Sequence, residues 1–163
     1  MTLTTLPRSN LSGTITGHLC DDNGPPLLLI HGVGMNADYW GNLMPALSPQ
    51  YQLKLVDMPG HGNSQPLTGL APSLTDFTDA IADVISQPLI VAGHSMGALI
   101  ALDLAVRYAE RVNGIAVLNG IYRRSEAATQ SILQRVDQLN DSAPADPGPT
   151  LCLLYTSPSP RDS

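Results

Sequence analysis

Basic residues are scarce in this sequence of 163 residues, and their scarcity argues against one class of function. Eight Lys and Arg residues stand against fourteen Asp and Glu residues, so the formal net charge is -6. The only lysine is Lys54, and the only adjacent arginines are Arg123 and Arg124. Nucleic-acid binding depends on clustered Lys and Arg side chains that neutralise phosphates. We therefore expect no nucleic-acid partner.

Cysteine and long apolar runs are also scarce. The two cysteines, Cys20 and Cys152, do not form a disulfide framework, and this favours a reducing, cytoplasmic compartment. No apolar run approaches the ~20 residues that a transmembrane helix requires, so we expect no membrane partner. The opening MTLTTLPRSN has no apolar segment of signal-peptide type, so export is not indicated.

What the sequence does contain is an alternation of apolar strands and helical segments, which predicts an α/β fold with a mostly parallel sheet. One or two short outer strands are predicted between Leu11 and Cys20. Continuous apolar runs predict buried strands at Pro25–Ile30, Leu53–Val56, Leu89–Ala92 and Val112–Leu118. Helices are predicted from Asn36 to about Leu47, from Thr75 to Ser86, from the turn at Gly97 to about Glu110, and from Ser125 onward.

The motif Gly93-His94-Ser95-Met96-Gly97 spans a predicted turn between a strand and a helix. A G-x-S-x-G sequence in this context places the serine in strained backbone geometry with its hydroxyl projecting outward. The flanking glycines leave room for neighbouring backbone to approach. The helix that begins near Met96 supplies unpaired N–H groups and a partial positive charge where an oxyanion would form. The alternative interpretation is a purely structural Gly-Ser turn.

A second glycine-rich turn, His31-Gly32-Val33-Gly34, follows an earlier buried strand. Its glycines let the chain fold back, so that a backbone N–H group, that of Val33, can face Ser95. Taken alone, this segment would be a plain turn. Two such turns, each directly after an apolar strand, support one another.

Three motifs, HGVG, DMPGHGNS and GHSMG, occur in an order and spacing that resemble the α/β-hydrolase superfamily. The resemblance covers His31 to about Gly120. It implies an α/β-hydrolase fold in which Ser95 is the nucleophile and the N–H groups of Val33 and Met96 form the oxyanion hole. It also implies that the helix after Gly120 begins a lid, and that no metal or organic cofactor is needed.

The resemblance to small bacterial esterases and enol-lactonases implies a serine hydrolase that cleaves a carboxylic ester, thioester or lactone. Its partner would be a small-molecule acyl substrate. His31, Gly32 and Gly34 in one turn, and Gly93, His94 and Gly97 in the other, would support the site. Two alternatives remain: a carbon–carbon bond hydrolase on the same frame, and a non-catalytic member that binds a ligand. The sequence predicts neither the substrate nor the oligomeric state.

Two members of a catalytic triad are missing from the sequence. The family order is serine, then an acid, then histidine. All four histidines (His18, His31, His61 and His94) precede Ser95, so none can be the general base in that order. Asn119, at the end of the last predicted strand, carries no charge. We therefore expect an N-terminal fragment, truncated after about the sixth strand and the start of the lid.

The final residues support the expectation of a fragment. Residues 152–162, CLLYTSPSPRD, match the translation of a DNA sequence similar to a transposase adapter used for sequencing libraries. We expect residues 1–121 to be the N-terminal part of a hydrolase core, 122–150 the start of a lid, and 151–163 a non-native tail. We also expect the 163-residue chain to be inactive and poorly folded, because its last strand would be an unpaired apolar edge.

Overall fold

The computed structural model describes residues 2–6, 15–20, 24–67, 72–121 and 125–140. Contacts divide the chain into two compact units, Met1–Ile121 and Tyr122–Ser163. The described residues of the second unit form one helix, α4 (Glu126–Asn140). The adapter-like segment, residues 152–162, lies outside the described residues.

The first unit is built on a six-stranded sheet. Its strands are β1 (Thr2–Leu6), β2 (Ile15–Cys20), β3 (Pro26–Ile30), β4 (Gln52–Val56), β5 (Leu89–His94) and β6 (Val112–Leu118). Their order across the sheet is β1-β2-β4-β3-β5-β6. The β1–β2 and β2–β4 pairs are antiparallel, whereas β4–β3, β3–β5 and β5–β6 are parallel. The predicted α/β class with a mostly parallel sheet is therefore confirmed.

The helices of this unit are α1 (Met44–Leu47), α2 (Leu74–Ala82) and α3 (Met96–Arg107), with short 3-10 helices at Ala37–Trp40 and Ala109–Arg111. The prediction of one helix from Asn36 to Leu47 is wrong. Asn36 does cap a helix, since its side-chain oxygen accepts a hydrogen bond from the Asp38 N–H at 3.0 Å. That helix is a single 3-10 segment, and the chain turns at Gly41 before α1 begins.

The parallel strands β3, β4 and β5 bury side chains on both faces, as their continuous apolar sequences predict. On one face, Leu28 and Ile30 of β3 belong to a core that includes α2 and α3 residues such as Ile81 and Leu104. On the other face, Leu27 and Leu29 pack in a second cluster that contains Trp40. The sheet thus fixes the carboxyl ends of β3 and β5, where the two glycine-rich turns begin.

The strand β6 has the predicted bounds and lies at the edge of the sheet, as expected for a truncated chain, but its side chains are not buried as its continuous apolar sequence predicted. Ile115, Val117 and Leu118 are each about 40% exposed, at 40%, 43% and 41%. The cause is position, because β6 is the last strand in the order of the sheet and pairs with β5 alone among the described strands.

The helices α2 and α3 are joined by charged side chains. Arg107 of α3 contacts Asp103, four residues earlier on the same helix, at 3.2 Å and Asp79 of α2 at 2.6 Å. The Tyr108 hydroxyl donates a hydrogen bond to Asp79 at 2.8 Å. Across the described ranges, no helix combines the length and apolar character needed to cross a bilayer.

Candidate active site

Ser95 lies on a sharp turn between β5 and α3. Its backbone angles are φ 55° and ψ -113°, and among the described non-glycine residues only Ser95 and Asn119 have positive φ. A left-handed φ is unfavourable for a residue with a side chain and persists only when the surrounding structure enforces it. Here the Ser95 N–H donates to the Leu118 carbonyl at 2.9 Å, and the Ser95 carbonyl accepts from the Ala98 N–H at 3.1 Å.

The glycines of this turn occupy positions that have no space for a side chain. A Cβ atom on Gly97 would contact the Ile30 carbonyl and would lie 2.6 Å from the His31 carbonyl. A Cβ atom on Gly93 would contact the Gly97 carbonyl and would lie 2.6 Å from the Ala98 nitrogen. The first turn of α3 is therefore pressed against the end of β3, and this contact fixes where Ser95 lies.

The turn His31–Gly34 lies directly against Ser95. A Cβ atom on Gly32 would be 3.1 Å from the Cβ of Ser95 and 3.1 Å from Nδ1 of His94. The following residue, Val33, is 52% exposed. Neither the Val33 N–H nor the Met96 N–H donates a hydrogen bond to any residue that the structure describes. The structure thus brings together the two turns from which an oxyanion hole was predicted.

His31 is fully buried and bonded through both ring nitrogens. Its Nε2 accepts a hydrogen bond from the Met58 N–H at 3.0 Å, so the ring hydrogen is on Nδ1, which donates to the Gly32 carbonyl at 2.8 Å. Burial lowers the pKa of His31 below its usual value, which keeps the ring neutral. The His61 ring lies 5.3 Å away, centroid to centroid. These contacts support a structural role for His31 rather than a role as general base.

Asp57, the first residue of the DMPGHGNS segment, ties the loop after β4 to the glycine-rich turn region. Its carboxylate accepts hydrogen bonds from the Ala37 N–H at 2.8 Å and from the Asn63 N–H at 3.0 Å. The Ser64 hydroxyl donates to the Asp57 carbonyl at 2.7 Å. A side chain on Gly62 would clash with the carboxylate. In the sequence this segment is recognisable only as a family motif, and nothing in it indicates that Asp57 has this role.

His94 connects the serine turn to two residues that sequence reasoning missed. Its ring stacks on Tyr39 with centroids 4.9 Å apart and planes 29° apart. The Asn119 side-chain nitrogen lies 3.4 Å from Nε2 of His94. Burial lowers the pKa of His94, and its Nδ1 has no hydrogen-bond partner among the described residues. No local sequence signal marks Tyr39 or Asn119, because both reach His94 from other elements.

No general base accompanies Ser95 within the described part of the chain. The ring nitrogens of His31 are bonded to backbone groups, and Nδ1 of His61 lies 3.1 Å from the Pro59 carbonyl. His94 makes its one hydrogen bond with Asn119. The described residues therefore hold the serine in place but do not supply a histidine bonded to its hydroxyl.

An apolar cavity of about 280 Å³ lies on the sheet face that contains Trp40. Leu29, Leu43, Ala92 and Leu118 are among the residues that line it. The Trp40 side chain also lines the cavity, and its buried Nε1 has no hydrogen-bond partner among the described residues. Leu118, which lines the cavity, is also the residue whose carbonyl accepts the hydrogen bond from the Ser95 N–H.

Comparison with known proteins identifies the family of this chain. The model of the alpha/beta hydrolase fold family matches residues 25–151. The chain is 41% identical over 134 residues to (E)-2-((N-methylformamido)methylene)succinate hydrolase of Acinetobacter baylyi, covering 79% of this chain and 51% of the relative. It is 40% identical over 93 residues to pimeloyl-(acyl-carrier protein) methyl ester esterase of Aeromonas hydrophila, covering 56% of this chain and 36% of that protein.

A similar fold is found among solved structures. A hydrolase from Pseudomonas aeruginosa PA01 superposes with a TM-score of 0.82 at 19% identity, over 98% of this chain and 60% of that chain. The present chain thus spans about half the length, or less, of the two curated relatives. The family match covers most of the sequence and includes all three of its motifs. The chain belongs to the alpha/beta hydrolase fold family.

Proposed function

We propose that this chain is the N-terminal part of a serine hydrolase that cleaves a carboxylic ester, thioester or lactone through an acyl-enzyme on Ser95. The observation that carries this proposal is the backbone of Ser95. Its φ of 55° occurs on a strand-to-helix turn against which Gly32 is packed. Such strain at a serine supports a nucleophile held in a fixed position.

In the proposed mechanism, the Ser95 hydroxyl oxygen attacks the substrate carbonyl carbon while a histidine accepts its proton. The N–H groups of Val33 and Met96 donate hydrogen bonds to the resulting oxyanion. The histidine then protonates the leaving oxygen or sulfur, and an acyl-enzyme remains. Water, deprotonated by the same histidine, attacks this ester and releases the acid. Donors that are fixed before the reaction stabilise the oxyanion without reorganising, which is the largest contribution in many such sites.

The histidine and the acid of the triad belong, in this proposal, to a part of the protein outside the present sequence. Three observations support this assignment. The chain spans 51% and 36% of the curated relatives, and every histidine in it precedes Ser95. The family match ends at residue 151, next to the segment 152–162 that resembles an adapter.

The names of the relatives suggest a substrate class to test. One relative is named for a methyl ester of a pimeloyl group, and the other for a substituted succinate. Both names denote derivatives of dicarboxylic acids. We therefore propose that short acyl esters, including monomethyl esters of dicarboxylic acids, are suitable substrates for the whole protein.

The test begins with long-read sequencing of the source DNA across codons 140 to 165. The complete reading frame is then expressed and assayed on acetyl esters and on monomethyl esters of dicarboxylic acids. We expect Ser95→Ala to lower kcat/KM at least ~1,000-fold, because the nucleophile is lost. Ser86→Ala, at an exposed serine before β5, is the matched control and should keep the parent activity. An unchanged rate in Ser95→Ala, or a frame with no histidine after Ser95, would contradict the proposal.

A further inference from the structure

We infer that Asn119 is a positioning residue for Ser95, acting through the ring of His94 and the carbonyl of Leu118. This inference rests on the proposed function, since it concerns the geometry of the same serine. It adds a residue that neither the sequence motifs nor the family resemblance identifies.

Ser95 and Asn119 directly follow two neighbouring strands of the sheet. In the parallel β5–β6 pair, His94 is opposite Leu118, so Ser95 and Asn119 are the next residues beyond the two strand ends. These are also the only described non-glycine residues with positive φ, at 55° and 51°. Asparagine tolerates left-handed backbone better than most residues. Both strands therefore end in turns at the same level of the sheet, and the two turns are adjacent.

A backbone hydrogen bond joins these two turns. The Ser95 N–H donates to the Leu118 carbonyl at 2.9 Å. That carbonyl belongs to the peptide unit that joins Leu118 to Asn119, so its direction depends on how the chain turns at Asn119. The left-handed turn at Asn119 thus holds the acceptor that fixes the backbone of Ser95.

The side chain of Asn119 contacts the ring of His94. Its Nδ2 lies 3.4 Å from Nε2 of His94, and with Nδ2 as the donor we expect the ring hydrogen of His94 on Nδ1. The same ring stacks on Tyr39 at 4.9 Å and has the backbone of Gly32 against it. His94 directly precedes Ser95 in the chain. Asn119 therefore restrains Ser95 in two ways. Its turn orients the Leu118 carbonyl that accepts the Ser95 N–H, and its side chain holds the ring of His94, the residue before Ser95.

The consequence is a specific kinetic role. A serine that relaxes from its strained geometry still permits substrate binding but attacks the carbonyl less often. Loss of the Asn119 side chain should therefore lower kcat while KM changes little, which is the signature of an interaction needed in the transition state. A residue that merely supported the fold would change the amount of active protein and leave the behaviour of the Ser95 amide unaltered.

The test compares Asn119→Gly and Asn119→Asp with Asn113→Gly in the full-length protein. Glycine keeps a positive φ accessible, so it removes the side chain without forcing a new turn. Aspartate keeps the shape but replaces the donor by an acceptor. Asn113 is an exposed residue near the start of the same strand and serves as the matched control. We expect Asn119→Gly to lower kcat about tenfold with KM within about twofold, while Asn113→Gly keeps parent values.

A second readout does not require turnover. In 15N-labelled protein, we expect wild-type His94 to carry its ring hydrogen on Nδ1, and Asn119→Asp to move it to Nε2. We also expect the Ser95 amide to exchange with solvent about tenfold faster in Asn119→Gly than in Asn113→Gly. The inference would be overturned if Asn119→Gly kept both the parent kcat and the parent exchange rate of the Ser95 amide. It would also be overturned if the His94 ring of the wild-type protein carried its hydrogen on Nε2. If the wild-type protein has no turnover, the proposed function fails, and the exchange measurement alone decides the role of Asn119.

Discussion

At the scale of single residues, His31 connects pH to the stability of the proposed site. Its ring bridges Met58 and Gly32 and is fully buried. Burial lowers its pKa from the ordinary value of 6.5, so the unfolded chain binds this proton at a higher pH than the folded chain does. Stability from this group is therefore fully present above pH 6.5 and is lost as the pH falls towards the pKa of the folded state. His94, whose pKa is also lowered by burial, adds to the same trend.

We accordingly expect the free energy of unfolding to decrease as the pH falls from 8 to 5.5. Urea unfolding of the full-length protein at several pH values, followed by far-ultraviolet circular dichroism, measures it. In His31→Gln the whole curve should be lower and its slope with pH should be smaller. A wild-type free energy that is constant over this range would show that neither histidine is held neutral by burial.

Residue by residue, the sequence predicted those parts of the site that lie close together in the chain. The motif at Gly93–Gly97 predicted a strained serine between a strand and a helix, and Ser95 has that geometry. Tyr39, Asp57 and Asn119 contribute through contacts between distant elements, which a single sequence does not encode locally. Asn119 was noted only for its lack of charge. The catalytic roles of Ser95 and of the backbone donors remain predictions.

At the scale of elements, the packing of α3 against β3 depends on Gly97. Two effects oppose each other there. Helix propensity favours alanine over glycine by about 1 kcal/mol. An alanine Cβ atom, however, would lie 2.6 Å from the His31 carbonyl and would contact that of Ile30, and neither backbone group can move without shifting the strand. We expect the steric effect to dominate, so that Gly97→Ala destabilises the protein by roughly 3 kcal/mol.

Gly114→Ala is the matched control for this substitution. Gly114 lies in β6, and a Cβ atom placed there has no atom within 4 Å. Alanine should therefore be neutral or should stabilise by up to about 1 kcal/mol, because it restricts the unfolded chain. Urea unfolding of both variants of the full-length protein, again followed by far-ultraviolet circular dichroism, gives the comparison. Equal effects of the two substitutions would show that α3 is not pressed against β3 as described.

The elements themselves were predicted unevenly, for a physical reason. Continuous apolar sequences indicate strands of a parallel sheet, and β3, β4, β5 and β6 were all found within two residues at either end, although β6 is exposed in this chain. The strand β1 was missed, because TLTTL has neither a long apolar run nor an alternation that distinguishes it from a loop. The split of the first helix at Gly41 depends on a turn between two short segments, which helical periodicity does not resolve.

At the scale of the whole molecule, β6 gives the first unit an apolar sheet edge that no described strand covers. Ile115 and Val117 lie on one side of this strand, since they are two residues apart, and both are at least 40% exposed. The described strands provide β6 with no partner other than β5. An apolar edge strand with free backbone groups pairs readily with another chain. The 163-residue chain should therefore associate with itself as its concentration rises.

A charge on this edge should weaken that association. We expect Val117→Lys to raise the midpoint concentration of association about tenfold, equivalent to about 1.4 kcal/mol, because a buried lysine opposes strand pairing. Val106→Lys is the control, since Val106 is 79% exposed on α3 and away from the edge. Sedimentation velocity over a series of concentrations measures both variants against the parent chain. If Val106→Lys weakens association as much as Val117→Lys does, then general surface hydrophobicity, and not the β6 edge, drives the association. A parent chain that stays monomeric at every concentration would contradict the prediction.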